Sequence, residues 1–199
     1  DPDATVAKLQ ERLPDAPIAA KCFLIELTGS VGGARALEAV SAAAEQPNED
    51  LQDAATQALG KWTTPDAAPA LLKLAKTLPS EKLKVRSLRG YIRIAQQMGL
   101  PPAEKLQMCE EALAAAQRDE ERRLVLGVLG QIPTAKAMSL VVPHLAKPAL
   151  AEEAATAALA IGEKIIQTQP RVVADAMREV LKSGAKTDQA KKLLQRAGS

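Results

Sequence analysis

The sequence predicts an all-α fold, a right-handed α-α superhelix of about six helical pairs, and three observations predict it. First, a helical phrase recurs: Leu59 to Lys76 reads LGKWTTPDAAPALLKLAK, and Leu129 to Lys147 repeats its plan as LGQI, a Pro-Thr turn and AMSLVVPHLAK. Second, apolar residues are spaced three and four apart, as in Val125, Val128, Leu129 and Ile132, or Val85, Leu88, Ile92 and Ala95. That spacing places each set on one helical face. Third, apolar alternation at period two is absent and alanine dominates, which argues against strands. The phase comes from small residues at helix ends. Gly29, Gly60, Gly130 and Ala160 share one slot, at steps of 31, 70 and 30. The step of 70 hides one further unit, whose helix is Leu83 to Met98.

Helices are expected over 3–13, 16–29, 33–45, 49–60, 65–77 and 81–98, then over 102–116, 119–130, 134–146, 149–167, 171–183 and 187–197. Asn48, Thr64, Ser80 and Thr187 stand where a side-chain oxygen can cap orphan amide hydrogens. Pro65, Pro102 and Pro170 suit a first turn, which needs no amide hydrogen. Gly60, Gly99, Gly130 and Gly184 follow apolar runs, where a left-handed residue ends a helix. Trp62 falls in the slot of Val31 and Ile132, so it is expected as a core plug between units. Tyr91 is expected to anchor the long third-unit helix. Gly32-Gly33 and Gly127-x-x-Gly130 are expected as turns and packing sites, since neither has the strand–loop–helix setting of a phosphate loop.

Composition narrows the function. Only 2% of the 199 residues are aromatic although 47% are hydrophobic. The core must therefore be built from Ala, Leu, Val and Ile, and stacking platforms for single-stranded nucleic acid are not expected. The net charge is +2, with 12 basic and 12 acidic residues up to Leu100 and 14 against 12 beyond it. Such balance makes nucleic acid an unlikely partner. No run approaches the ~20 apolar residues of a transmembrane helix. Cys22 and Cys109 are 87 positions apart and read as buried thiols rather than a disulfide. The chain begins at Asp1, and it is expected to be a single domain over 1–199, excised from a larger protein or the mature part of one.

The short helical pairs, Ala58-Leu59-Gly60 and Val128-Leu129-Gly130 together resemble HEAT-like repeats, with the armadillo-like solenoid that implies. Ser87 to Arg93 (SLRGYIR) and Arg122 to Gly130 (RRLVLGVLG) resemble a bacterial subgroup found within larger, often exported proteins. Companion domains there include cytochrome-like and sugar-processing ones, so a periplasmic or otherwise exported location is what the resemblance implies. It covers nearly the whole chain, most thinly over 1–17 and 185–199.

The sharpest candidate site is a basic stripe. Lys82, Arg86, Arg89 and Arg93 recur at steps of four, three and four and share a helical face, with Lys84 beside them. Converging guanidinium groups can hold a phosphate, a carboxylate or an acidic partner segment. A solvated face, or arginines paired with acids of a neighbouring repeat, is the plainer alternative. Other candidates read as structural. In Arg118-Asp119-Glu120-Glu121-Arg122-Arg123 the acids begin a helix, and Asp119 with Arg123 is an i,i+4 pair. Lys182, Lys186, Lys191, Lys192 and Arg196 suit a polar cap on the last repeat, the alternative being a nucleic-acid or membrane-surface patch. His144 is the only histidine, and no metal-ligand spacing surrounds it. Glu110-Glu111 and Glu152-Glu153 point about 100° apart within their helices, so neither pair is a ready acid/base dyad.

These readings lead to a non-enzymatic protein-binding scaffold with a concave helical surface, no cofactor, no metal and no catalytic residues, and a monomer. A nucleic-acid-binding HEAT-like domain is one alternative. A structural domain of a larger exported enzyme is another. The HEAT-like enzyme deoxyhypusine hydroxylase needs paired His-Glu motifs for iron, which a single histidine does not supply. Bilin lyases also resemble these repeats, but no residue here marks a pigment site.

Overall fold

A computed structural model describes residues 1–198; the last position of the expected 1–199 domain, Ser199, lies outside the described residues. Twelve α-helices follow one another, with no strand among the described residues. They fall into two compact units, Asp1–Met98 and Gly99–Ser199. The first contains α1 (Pro2–Glu11), α2 (Ile18–Val31), α3 (Ala34–Ala44), α4 (Glu49–Gly60), α5 (Ala68–Thr77) and α6 (Glu81–Gln97). The second contains α7 (Pro102–Ala115), α8 (Asp119–Leu129), α9 (Ala135–Val141), α10 (Ala151–Ile165), α11 (Pro170–Ser183) and α12 (Thr187–Ala197). Short 3-10 turns at Pro65–Ala67 and Val142–Ala146 flank α5 and α9. Each unit thus holds three helical pairs, consistent with an α-α solenoid, and the expected six pairs are present.

The pairs follow one packing plan. In the first unit α2, α4 and α6 lie side by side, and α3 and α5 each pack on the helix that follows them. In the second, α8, α10 and α12 form the corresponding row. The stripes read from the sequence are buried: Val125, Val128, Leu129 and Ile132 in the second unit, Leu88, Ile92 and Ala95 in the first. Val85 is only half-buried, and Leu83, Tyr91 and Ile94 fill the core around it. Trp62 is buried as the repeat alignment requires. No helix is long and apolar enough to cross a membrane among the described residues.

The helix ends explain themselves less uniformly. Asn48 Oδ1 accepts from the Leu51 amide at 3.0 Å, the cap expected for α4. Thr134 Oγ1 does the same for Ala137 at 3.1 Å at the start of α9. Thr64 and Ser80 flank helices without a side-chain cap bond. Thr187 is the first residue of α12 rather than its cap, and Lys186 before it is left-handed (φ 48). Pro102 and Pro170 open α7 and α11.

Of the four glycines expected in a left-handed terminus only Gly184 adopts one (φ 78). Gly130 is right-handed (φ −58), and its role is close approach instead. A Cβ there would stand 3.2 Å from Ala157 Cα, so a bare helix end lets α10 press onto α8. In the first unit Gly29 does this more sharply, since its Cβ would stand 2.7 Å from Ala58 Cβ.

Candidate functional site: the basic stripe on α6

The stripe residues do share one face of α6, and three of them reach back one repeat to α4. Lys82 Nζ donates to Asp53 Oδ1 at 2.8 Å. Arg86 NH1 donates to the Asp53 carbonyl at 3.0 Å and to Thr56 Oγ1 at 3.1 Å, and lies 3.1 Å from the Asp53 carboxylate. Arg93 Nε donates to the Gly60 carbonyl at 2.9 Å and its NH2 to the Trp62 carbonyl at 2.6 Å. The last carbonyls of a helix lack intrahelical partners and carry the negative end of its dipole. Arg93 therefore closes the end of α4 with a cation. Arg89 is exposed between these braces.

Asp53 is the residue that sequence reasoning missed. The Lys82 hydrogen bond, with Gln57 and the Arg86 charge, holds its carboxyl below the usual range against the opposing effect of burial. Its signal was present: Asp53 precedes Arg86 by 33 positions, and Gly60 precedes Arg93 by the same interval, about one repeat. Arg86 is 27% exposed and Lys82 68%. The stripe is thus part brace and part surface.

Ion pairs recur between successive repeats in both units. In the first, Lys73 of α5 meets Glu45 after α3 at 2.5 Å. In the second, Arg123 donates to the Ala149 carbonyl at 2.7 Å and lies 3.4 Å from Glu153. Lys186 lies 3.4 Å from Glu152, Arg196 2.8 Å from Glu163, and Lys136 2.7 Å from Glu110. These contacts account for Glu110, Glu152 and Glu153 and for part of the C-terminal basic group. Lys191 and Lys192 are exposed on α12, the polar finish expected of a terminal repeat.

The Arg118–Arg123 segment departs from expectation in one respect. Asp119 pairs with Arg122 at 2.9 Å, three residues on, because Arg123 has turned toward α10. Arg118 grips Glu121 with two bonds of 2.8 and 2.9 Å, and Glu121 is buried at 1% exposure. A buried carboxylate needs such a paired cation. His144 sits in the 3-10 turn after α9 rather than within a helix. Burial, then Lys147 and Arg122, lower its pKa. Both cysteines are free thiols; Cys109 is buried and Cys22 half-buried. Burial pushes the Cys109 thiol up to about 12. Among the described residues no group of three or more His, Cys, Asp or Glu is placed to hold a metal ion.

Two clefts lie between consecutive second helices where those glycines leave room. One, about 350 Å³, is lined by Glu26, Gly29, Gln57, Lys61 and Trp62. The other, about 370 Å³, is lined by Arg123, Gly127, Gly130, Ala157 and Lys186.

Repeated pairs, glycine contacts and inter-repeat bonds together define an all-α helical repeat fold. The family model for HEAT repeats matches residues 6–89, so that segment is similar to HEAT repeats. No curated protein matches the chain. Among solved structures, human deoxyhypusine hydroxylase in complex with glycerol is similar over 98% of this chain and 97% of that one, at 15% identity and a TM-score of 0.37. So distant a likeness carries no argument about this chain's activity.

Proposed function

We propose that this helical repeat scaffold is a non-enzymatic protein-binding module, and that the α6 face is where it meets its partner. The observation that carries the reading is the division of labour within the stripe. Arg86 and Arg93 fix α6 against α4 through Asp53 and the Gly60 and Trp62 carbonyls. Lys82, bonded to Asp53 yet largely exposed, and Arg89 present their charges on that fixed frame. A rigid element carrying exposed cations suits an acidic protein segment, to which it offers charge and register at low ordering cost. The partner is a protein rather than nucleic acid because the charge of the first half is balanced and phosphate-backbone binding needs a net basic footprint.

The test is Arg89→Glu. The mutant is expected to stay folded by circular dichroism, since the side chain is exposed, while capture of the partner from the source cell falls roughly tenfold or more. Undiminished capture by the folded mutant removes the stripe as the binding surface. A random DNA duplex titrated in parallel is expected to show no salt-dependent binding below about 1 μM.

A further inference from the structure

A third cleft, of about 360 Å³, lies within the first unit, between the second halves of α1 and α3 and the first halves of α2 and α4. The repeat register explains why the space is there. The step of 31 from Gly29 to Gly60 also carries Val40, Ala43 and Ala44 of α3 onto Leu71, Leu74 and Ala75 of α5, and all six are buried. So α5 fills with the Leu74 side chain a slot in which α3 has only the Ala43 methyl. Ala43 lines the cleft together with the buried Ile25 and Leu51, and with Leu13 from the turn after α1.

The charge of this cleft is one-sided. Lys21 is the one charged residue lining it; its other polar residues are the neutral Gln10 and Gln46. Lys21 is half-buried, and it makes no ion pair among the described residues. Lys73, Lys136 and Lys186, at other contacts between repeats, each have a glutamate partner. An apolar recess with a single uncompensated ammonium suits a ligand with an alkyl tail and one anionic head. We propose that the cleft binds a free medium-chain carboxylate, its tail in the space that Ala43 leaves and its head on Lys21. A lone lysine is a point charge that matches a carboxylate, whereas a phosphate is held best by several donors or a guanidinium fork. The volume lies at the small end of ligand sites, about 300–1,000 Å³, which favours a medium chain over a long one. This site goes beyond the reading of the chain as a protein-binding module and does not depend on the α6 stripe.

The probe is sodium octanoate, titrated calorimetrically into the intact chain at pH 8 and below its micelle concentration. It is expected to bind saturably, with Kd tighter than about 1 mM, and affinity should rise about threefold to fourfold per methylene from butanoate to octanoate. 1-Octanol, which lacks the charge, should bind about tenfold more weakly or less. Lys21→Met removes the charge and keeps the length of the side chain, and should weaken octanoate about tenfold; Lys21→Arg should restore it. Ala43→Leu installs the residue that α5 carries in the same slot and should abolish binding in a protein that is folded by circular dichroism. Arg89→Glu should bind octanoate as wild type does, so failure of the α6 reading and failure of this one are told apart. Absence of saturable binding, equal affinity for octanoate and 1-octanol, or undiminished binding by folded Lys21→Met overturns the proposal.

Discussion

The closest approach in the first unit sets the sharpest prediction, Gly29→Ala. A Cβ at position 29 would stand 2.7 Å from the Cβ of Ala58. Carbon atoms rest at about 3.5–4.0 Å, so α4 must retreat by about 1 Å. Ala58 has no flexible end to give way, and the shift is passed to its helix. Overpacking of this kind costs about 1–3 kcal/mol. Glycine to alanine within a helix returns about 0.5–1 kcal/mol. The net is a loss of roughly 1–2 kcal/mol, or a fall in Tm of about 2–8 °C for a chain of this size. Differential scanning calorimetry measures it. Gly29→Ala combined with Ala58→Gly is expected to recover most of the loss, with a coupling energy of about 1 kcal/mol or more. Gly60→Ala is the control: its Cβ meets nothing within 4 Å, so it should be neutral or stabilising. A Gly29→Ala protein at or above the wild-type Tm refutes the close-approach account.

Four other outcomes follow from the same structure. Arg93→Ala strips the cation from the Gly60 and Trp62 carbonyls and should cost roughly 1.5–3 kcal/mol by urea unfolding; an unchanged midpoint would show the brace to be idle. Leu129→Asp places a carboxylate at a fully buried site and should abolish the cooperative transition of the second unit, which thermal scans would reveal by matching wild type if the placement is wrong. The depressed pKa of Asp53 gives stability that is present above the unfolded carboxylate pKa, near 4, and is lost as pH falls through the lower folded value. Asp53→Asn should therefore lower stability at neutral pH and narrow its difference from wild type as pH falls below about 4; parallel pH profiles would contradict this. In native protein at pH 8, Cys109 should resist thiol reagents while Cys22 reacts, because Cys109 is buried and its thiol is pushed up to about 12; equal labelling rates would contradict the burial.

The helical pairs were legible because burial repeats: Leu59 and Leu129 recur with their glycines, and both side chains are fully buried. Cap chemistry was less so. Asn48 was recognisable from its place before an acidic first turn, but Gly130 answers to helix proximity rather than to chain reversal, a demand made by a partner helix and invisible locally. The same limit applies to the candidate site. Spacing put Lys82, Arg86, Arg89 and Arg93 on one face, but which of them turn inward depends on the distance to α4. Arg123 turned from Asp119 toward Ala149 for the same reason.

The most direct test of the binding account is site-specific photocrosslinking in the source cell, with the crosslinking residue at position 89 on α6 or, for comparison, at exposed Lys73 on α5. The account predicts a discrete protein adduct from position 89, reduced by Lys82→Glu and missing from position 73. Equal adducts from both positions, or none from position 89 in folded protein, would contradict it.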